Sequence, residues 1–245
     1  MRSIIKGEWR KLRRCQILLV GIVALALCPV VQYGSQLVMN PELRDPGYNF
    51  VSLFNSVIWG NTQIFLPISL VMIGGWIIDR ENTITVILSL IFGVYSVFVT
   101  LLTGTAAGLD GLSPAVLAGQ GAQVIGAAFN TCLVCMPVIL IFGQIRGAYL
   151  GGSLLTFFFG YCILFFKSGF LLSAYPFSAA LVLAGFDMQE YNGATEAPSI
   201  PLAFLGMAAV IALTMALLLF SHPGSKTGTA KKKKKRGRGR RYSGR

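Results

Sequence analysis

Charge is scarce in this 245-residue chain: nine Asp and Glu and a single histidine, His222, are set in a sequence that is 54% hydrophobic. The scarcity excludes several chemistries at once. Neither HExxH nor GxSxG occurs, so a zinc protease and a nucleophile-elbow hydrolase both lack their residues here. GSKTG at 224–228 lacks the upstream glycine and the spacing of a phosphate-binding loop, so this chain does not hold ATP in that way. Charge-free windows run over 15–39, 57–78, 84–103, 123–143, 147–166 and 202–220. About 20 apolar residues cross a hydrocarbon core of roughly 30 Å, so the expected fold class is an all-α membrane protein with six transmembrane helices. Coupling to an ion gradient normally needs ionisable side chains within the spans, and these windows contain none. An inverted-repeat transporter has no support either, because no internal repeat is visible. The first window is followed by further spans and by no A-x-A-like site, so it is expected to stay as a span rather than be cleaved as a signal peptide.

What charge there is falls unevenly, and its distribution chooses between an even and an odd number of crossings. Residues 168–186 form a seventh charge-free window, interrupted by Pro176. With six spans and the N-terminus inside, all of the 21 basic residues except Arg44 and Lys167 lie on the cytoplasmic side. Glu42, Asp45, Asp110, Asp187, Glu190 and Glu196 then lie outside. A seventh span would carry the KKKKKRGRGRR tail across the membrane. The six-span reading is therefore adopted, with both termini cytoplasmic, and 168–186 is expected to be a broken or re-entrant hairpin on the outer face between spans five and six, packed against protein.

Three segments follow: 1–14 as an interfacial amphipathic helix, 15–220 as the six-span domain and 221–245 as a basic disordered cytoplasmic tail. In the first, Ile4, Ile5, Trp9 and Leu12 fall on one stripe, with Glu8 set among them. Glu8 either snorkels from the stripe's edge or pairs locally with Lys11, or else accepts a charge-assisted bond from Arg80 or Arg146. Asp79, Arg80 and Glu81 mark the inner turn between spans two and three, where a cytosolic partner could push. Gly74 and Gly75, just before that turn, allow close helix approach. Gly143, Gly147 and Gly151 recur every four residues, a pattern that lets helix backbones touch in lipid. The ring-rich fifth window, with Phe157, Phe158, Phe159, Tyr161, Phe165 and Phe166, is read as packing. Cys132 and Cys135 form a CxxC inside a span and are read as small hydrophobes, with no disulfide implied. The tail should attract anionic lipid, and specific nucleic-acid binding is not expected because aromatic stacking residues beyond Tyr242 are missing.

Two motifs carry a family resemblance. MRSIIKGEWRKLRR resembles the basic Glu-Trp-x-Lys start of ABC-2 type permeases, and ISLVMIGGWIIDRENT, residues 68–83, is similar to the second-span exit of the lantibiotic-immunity permeases of that group. The resemblance implies a permease without its own ATPase site that works with a separate ATP-binding subunit, where ATP and magnesium would bind, and with a second permease, identical or related. No cofactor is expected on this chain. Such an assembly, in the cell membrane of a Gram-positive bacterium, would expel a lanthionine peptide antibiotic. Under that reading Glu8, Asp79, Arg80, Glu81 and Arg146 are candidates for coupling to the ATPase. Asp187, Glu190 and Glu196 are candidates for attracting a cationic peptide outside. Two features depart from the family pattern: the chain turns apolar almost at once after residue 83, and the lysine run is added at the end. The alternative function is a non-transporting membrane protein that sequesters or senses a peptide, or scaffolds partners through its tail.

Overall fold

The computed structural model describes residues 16–39, 46–77, 82–145 and 147–220. Among these residues the chain is all helical, and five helices are long and apolar enough to cross a membrane. They are α1 (Gln16–Val38), a run from α2 (Phe50–Gly60) through a π turn (Asn61–Phe65) into α3 (Leu66–Ile77), α4 (Asn82–Ala106), α5 (Pro114–Gly143) and α10 (Ile200–Phe220). A sixth apolar stretch, α6 (Tyr149–Tyr161) continued by a 3₁₀ turn at Cys162–Phe165, is shorter. Between it and α10 come α7 (Gly169–Ala174), α8 (Pro176–Leu183) and α9 (Met188–Asn192).

Local chemistry sets several ends that hydropathy windows misplace. The second window was expected to begin at 57, but its helix begins at Phe50, because Asn49 Oδ1 accepts the Ser52 N–H at 3.1 Å. The fourth was expected from 123, yet α5 starts at Pro114. Ser113 caps it, accepting the Val116 N–H at 3.2 Å, and Pro114 takes the first helical position, where a missing N–H costs nothing. At 30 residues and about 1.5 Å per residue, α5 outreaches the hydrocarbon core and projects beyond it.

Packing places α5 at the centre. Phe50, Phe54, Ile58, Val71, Val124, Cys135, Ile139 and Leu181 share one buried cluster, and Leu25, Leu70, Ile73, Phe92, Cys132 and Met136 share a second. The CxxC cysteines are thus divided between two apolar clusters. Gly21, Leu25 and Cys28 form the inward stripe of α1, with Leu19, Val23, Leu27 and Val31 exposed. In α4 the inward residues are Leu88 and Phe92 together with small or hydroxylated ones: Ser89, Ser96 and Thr100 are fully buried, while Ile87, Leu90, Val94, Phe98 and Leu102 face out. Small residues let backbones approach where lipid removes the hydrophobic drive between helices. Gly93 accordingly meets the Ile125 Cα, and Gly104 lies under the Phe50 ring.

Contacts along the helices fix their directions. Phe50 N donates to Asp110 O, Gln123 Nε2 to Gly185 O and Tyr191 Oη to Ser52 O, which gathers residues 49–52, 110, 123 and 185–191 at one end. A Cβ at Gly75 would lie 2.8 Å from the Tyr149 Cβ, and Gly143 is the next neighbour, so α3, α5 and α6 meet at the other end. Gly21 touches Ile73 and Gly60 touches Gln32, so α1 runs antiparallel to the α2–α3 run and starts at the α3 end. Ser199 N donates to Ser173 Oγ, and α10 runs back from there along α5 and α8.

The apolar segment 168–186 breaks at Tyr175, ahead of Pro176, into α7 and α8. Each is too short to span a bilayer at about 1.5 Å per residue. Residues Phe177–Val182 are buried, so protein rather than lipid surrounds α8. Two expectations are corrected. Gly147 has φ +76 and sits in the turn between α5 and α6, so Gly143, Gly147 and Gly151 share no helix face. Phe158, Phe159, Tyr161 and Phe165 point outward, with Phe158 60% and Phe165 72% exposed, whereas Phe166 does pack, edge-on to Tyr175 at 4.8 Å; the packing face of α6 is Gly152, Ser153, Thr156 and Gly160. Four-residue spacing placed the small residues on one ridge, but the helix ends at Gly143 and left-handed Gly147 lies in the turn that follows.

Candidate functional site

Three consecutive polar residues, Asn61, Thr62 and Gln63, lie midway along the apolar run Phe50–Trp76 and are 4%, 2% and 3% exposed. The backbone there is a π turn, in which the Leu66 N–H reaches back five residues to Asn61 O. Pro67 follows immediately and has no N–H, so Gln63 O receives no donor from one turn ahead. Proline alone does not open the turn, since Pro29 and Pro137 sit within unbroken α-helices. At 61–65 polar side chains are added. Asn61 Nδ2 donates to Ser96 Oγ on α4 at 2.6 Å, and Thr100 Oγ1 donates to Ser96 O at 2.7 Å.

The turn is enclosed on two sides by bare glycines. A Cβ on Gly60 would come 2.6 Å from Gln32 Nε2 of α1, and a Cβ on Gly160 would overlap the Gln63 carbonyl oxygen. The α6 backbone therefore lies directly against the carbonyl that Pro67 leaves without a helical donor. Asn61 Oδ1 and Gln63 Nε2 are buried and have no hydrogen-bond partner among the described residues. Each such group costs about 1–3 kcal/mol. The cluster carries no ionisable group, so it can bend and exchange hydrogen bonds but cannot do acid–base work. A search for charge passes over it because amides are neutral. The legible signal was NTQ inside an apolar run, four to six residues before a proline.

The end of the bundle holding 185–191, away from the contact of Gly75 with Tyr149, carries its own polar network. Asp187 caps α9, accepting from Gln189 N at 2.9 Å and Glu190 N at 3.2 Å, while Glu190 and Glu196 are exposed. Of the three acids proposed from sequence, Asp187 therefore also has a structural task. Asn192, read past in the sequence, is the hub. Its Nδ2 donates to Ile163 O at 3.1 Å and Phe166 O at 2.6 Å, and its backbone oxygen and Oδ1 accept from Lys167 Nζ. Trp59 stacks on Phe186 at 6.0 Å and meets Tyr191 at 6.3 Å, which fastens α9 to α2. Glu8, Asp79, Arg80, Glu81 and Arg146 lie outside the described residues, as do the interfacial helix 1–14 and the tail 221–245. Only residues 78–81 separate α3 from α4.

These features define a helical membrane protein in which Asn61, Thr62 and Gln63 are buried at a π turn in one helix, with Asn61 bonded to Ser96. Residues 4–87 match the family model described as ABC-2 family transporter protein. The match covers α1, α2, the π turn and α3 and ends within the first residues of α4. No curated protein and no solved structure matched the chain.

Proposed function

We propose that this chain is the permease subunit of an ABC exporter that expels a lanthionine or similar antimicrobial peptide from the membrane of a Gram-positive cell. The family match over residues 4–87 carries the reading. It is supported by the membrane-length helices, and on this reading ATP and magnesium bind a partner subunit. The chain crosses six times with both termini inside, and α7 and α8 form the outer re-entrant hairpin. Glu8, Asp79, Arg80, Glu81 and Arg146 then face the ATPase, and the basic tail holds anionic lipid. Asp187, Glu190 and Glu196 lie outside, where they attract a cationic peptide already in the outer leaflet. A second permease, identical or related, completes the pathway, and ATP-driven closure of the partner is transmitted through residues 79–83.

Affinity purification of the tagged chain from its native membrane tests the reading. Recovery of a P-loop ATPase together with a permease is expected, and Arg80→Glu should lose the ATPase at an unchanged expression level. A chain recovered only as a homo-oligomer favours a sequestering or sensing protein instead.

A further inference from the structure

The two halves of the run Phe50–Trp76 both lie along α1 and α5, but their far ends are held by different partners. The outer half is tied to residues 110 and 186–191 through Phe50 N, Ser52 O and Trp59, whereas the inner half is wedged through Gly74 and Gly75 against Ile139 of α5 and Tyr149 of α6. Along the run itself the π turn joins them. It lacks the helical donor that Pro67 cannot supply, and a single side-chain hydrogen bond, Asn61 to Ser96, holds its polar face. On either side a glycine removes the side chain that would interlock with it: Gly60 itself toward α1, and Gly160 of α6 toward Gln63. Asn61 Oδ1 and Gln63 Nε2, one acceptor and one donor, stand unmatched in this conformation and would gain partners in another.

We propose that residues 61–65 are a molecular joint about which the inner half of this helix swings against the outer half, with the Asn61–Ser96 hydrogen bond as its latch. The swing carries the end of α3, four residues from the next helix, where the proposed ATPase contact lies. The joint is a property of the fold. Its use in transport rests on the permease reading above.

Hydrogen exchange read by mass spectrometry on the full chain in lipid nanodiscs tests the joint with no partner present. Amides of residues 61–66 are expected to exchange about ten times faster than those of 53–58 and 69–74. Pro67→Leu restores a donor and should bring them to the flanking rate. Ser96→Ala releases the latch and should speed them about fivefold, and it keeps the test open if Pro67→Leu fails to reach the membrane. Exchange no faster than in the flanks, or unchanged in both variants, overturns the joint. In a host that the chain protects, Pro67→Leu at an unaltered membrane level should lose protection, and full protection would overturn a role for the joint in transport. Failure of the wild-type chain to protect any host counts against the export reading alone, since the exchange rates decide the joint independently.

Discussion

Replacing Gly160 by alanine inserts one methyl group where α6 crosses the π turn. The added Cβ would overlap Gln63 O, and the Gln63 carbonyl carbon and Cα also lie within about 3 Å, so backbone rather than a flexible side-chain tip obstructs it. Overpacking costs typically about 1–3 kcal/mol, and an obstructing backbone puts this site near the upper figure. Alanine recovers about 1 kcal/mol of helix propensity relative to glycine, leaving a net loss of about 2 kcal/mol. For a chain of this size that lowers the melting temperature by roughly 4–8 °C. Gly151 is the matched control on the same helix, because a Cβ there meets only Phe142 Cε1 at 3.9 Å. Gly151→Ala should keep the propensity gain and raise the midpoint by up to about 4 °C. Thermal unfolding of the three proteins in one detergent, followed by tryptophan emission, reads the difference. A Gly160→Ala midpoint equal to the parent's, or a larger fall in Gly151→Ala, would refute the close approach of α6 to the turn and restore the four-residue glycine ridge as the packing face.

Further predictions concern the polar groups. Ser96→Ala, which leaves the Asn61 amide buried without its partner, should destabilise the protein by about 1–3 kcal/mol, whereas Asn61→Leu, which removes the amide itself, should cost less in the same melts. Asn192→Ala removes the acceptor Oδ1 facing Lys167 and both donors to the end of α6, so limited proteolysis should cut residues 193–199 several-fold faster. Asp187→Asn preserves the helix cap while deleting the charge; combined with Glu190→Gln and Glu196→Gln, it should lower protection against a cationic peptide without shifting the melting temperature, and unchanged protection removes the attraction proposed for these acids. A cysteine added at the C-terminus should react with a membrane-impermeant maleimide only after the cells are opened; labelling of intact cells would contradict an even number of crossings.

The sequence by itself determined the solvent and the class of element. Long windows without charge leave only structures that satisfy their own backbone, and helices do so within one segment. It also pointed to the break at Pro176, because proline removes a helical donor and crowds the preceding turn, although Pro29 and Pro137 are carried within unbroken helices. The motif around residues 68–83 was legible as a family likeness, and the family match extends over 4–87. Three-dimensional packing decided the rest. That α8 lies among protein while the rings of α6 lie outside depends on which faces meet across the bundle, and nearly uniform apolar composition erases the periodicity that marks such faces in water. Likewise NTQ becomes a joint only because Ser96, Gly160 and Gln32 arrive from three other helices to enclose it. In lipid, closeness is set by which surfaces are small enough to touch, and that is a property of pairs of helices rather than of any one stretch of chain.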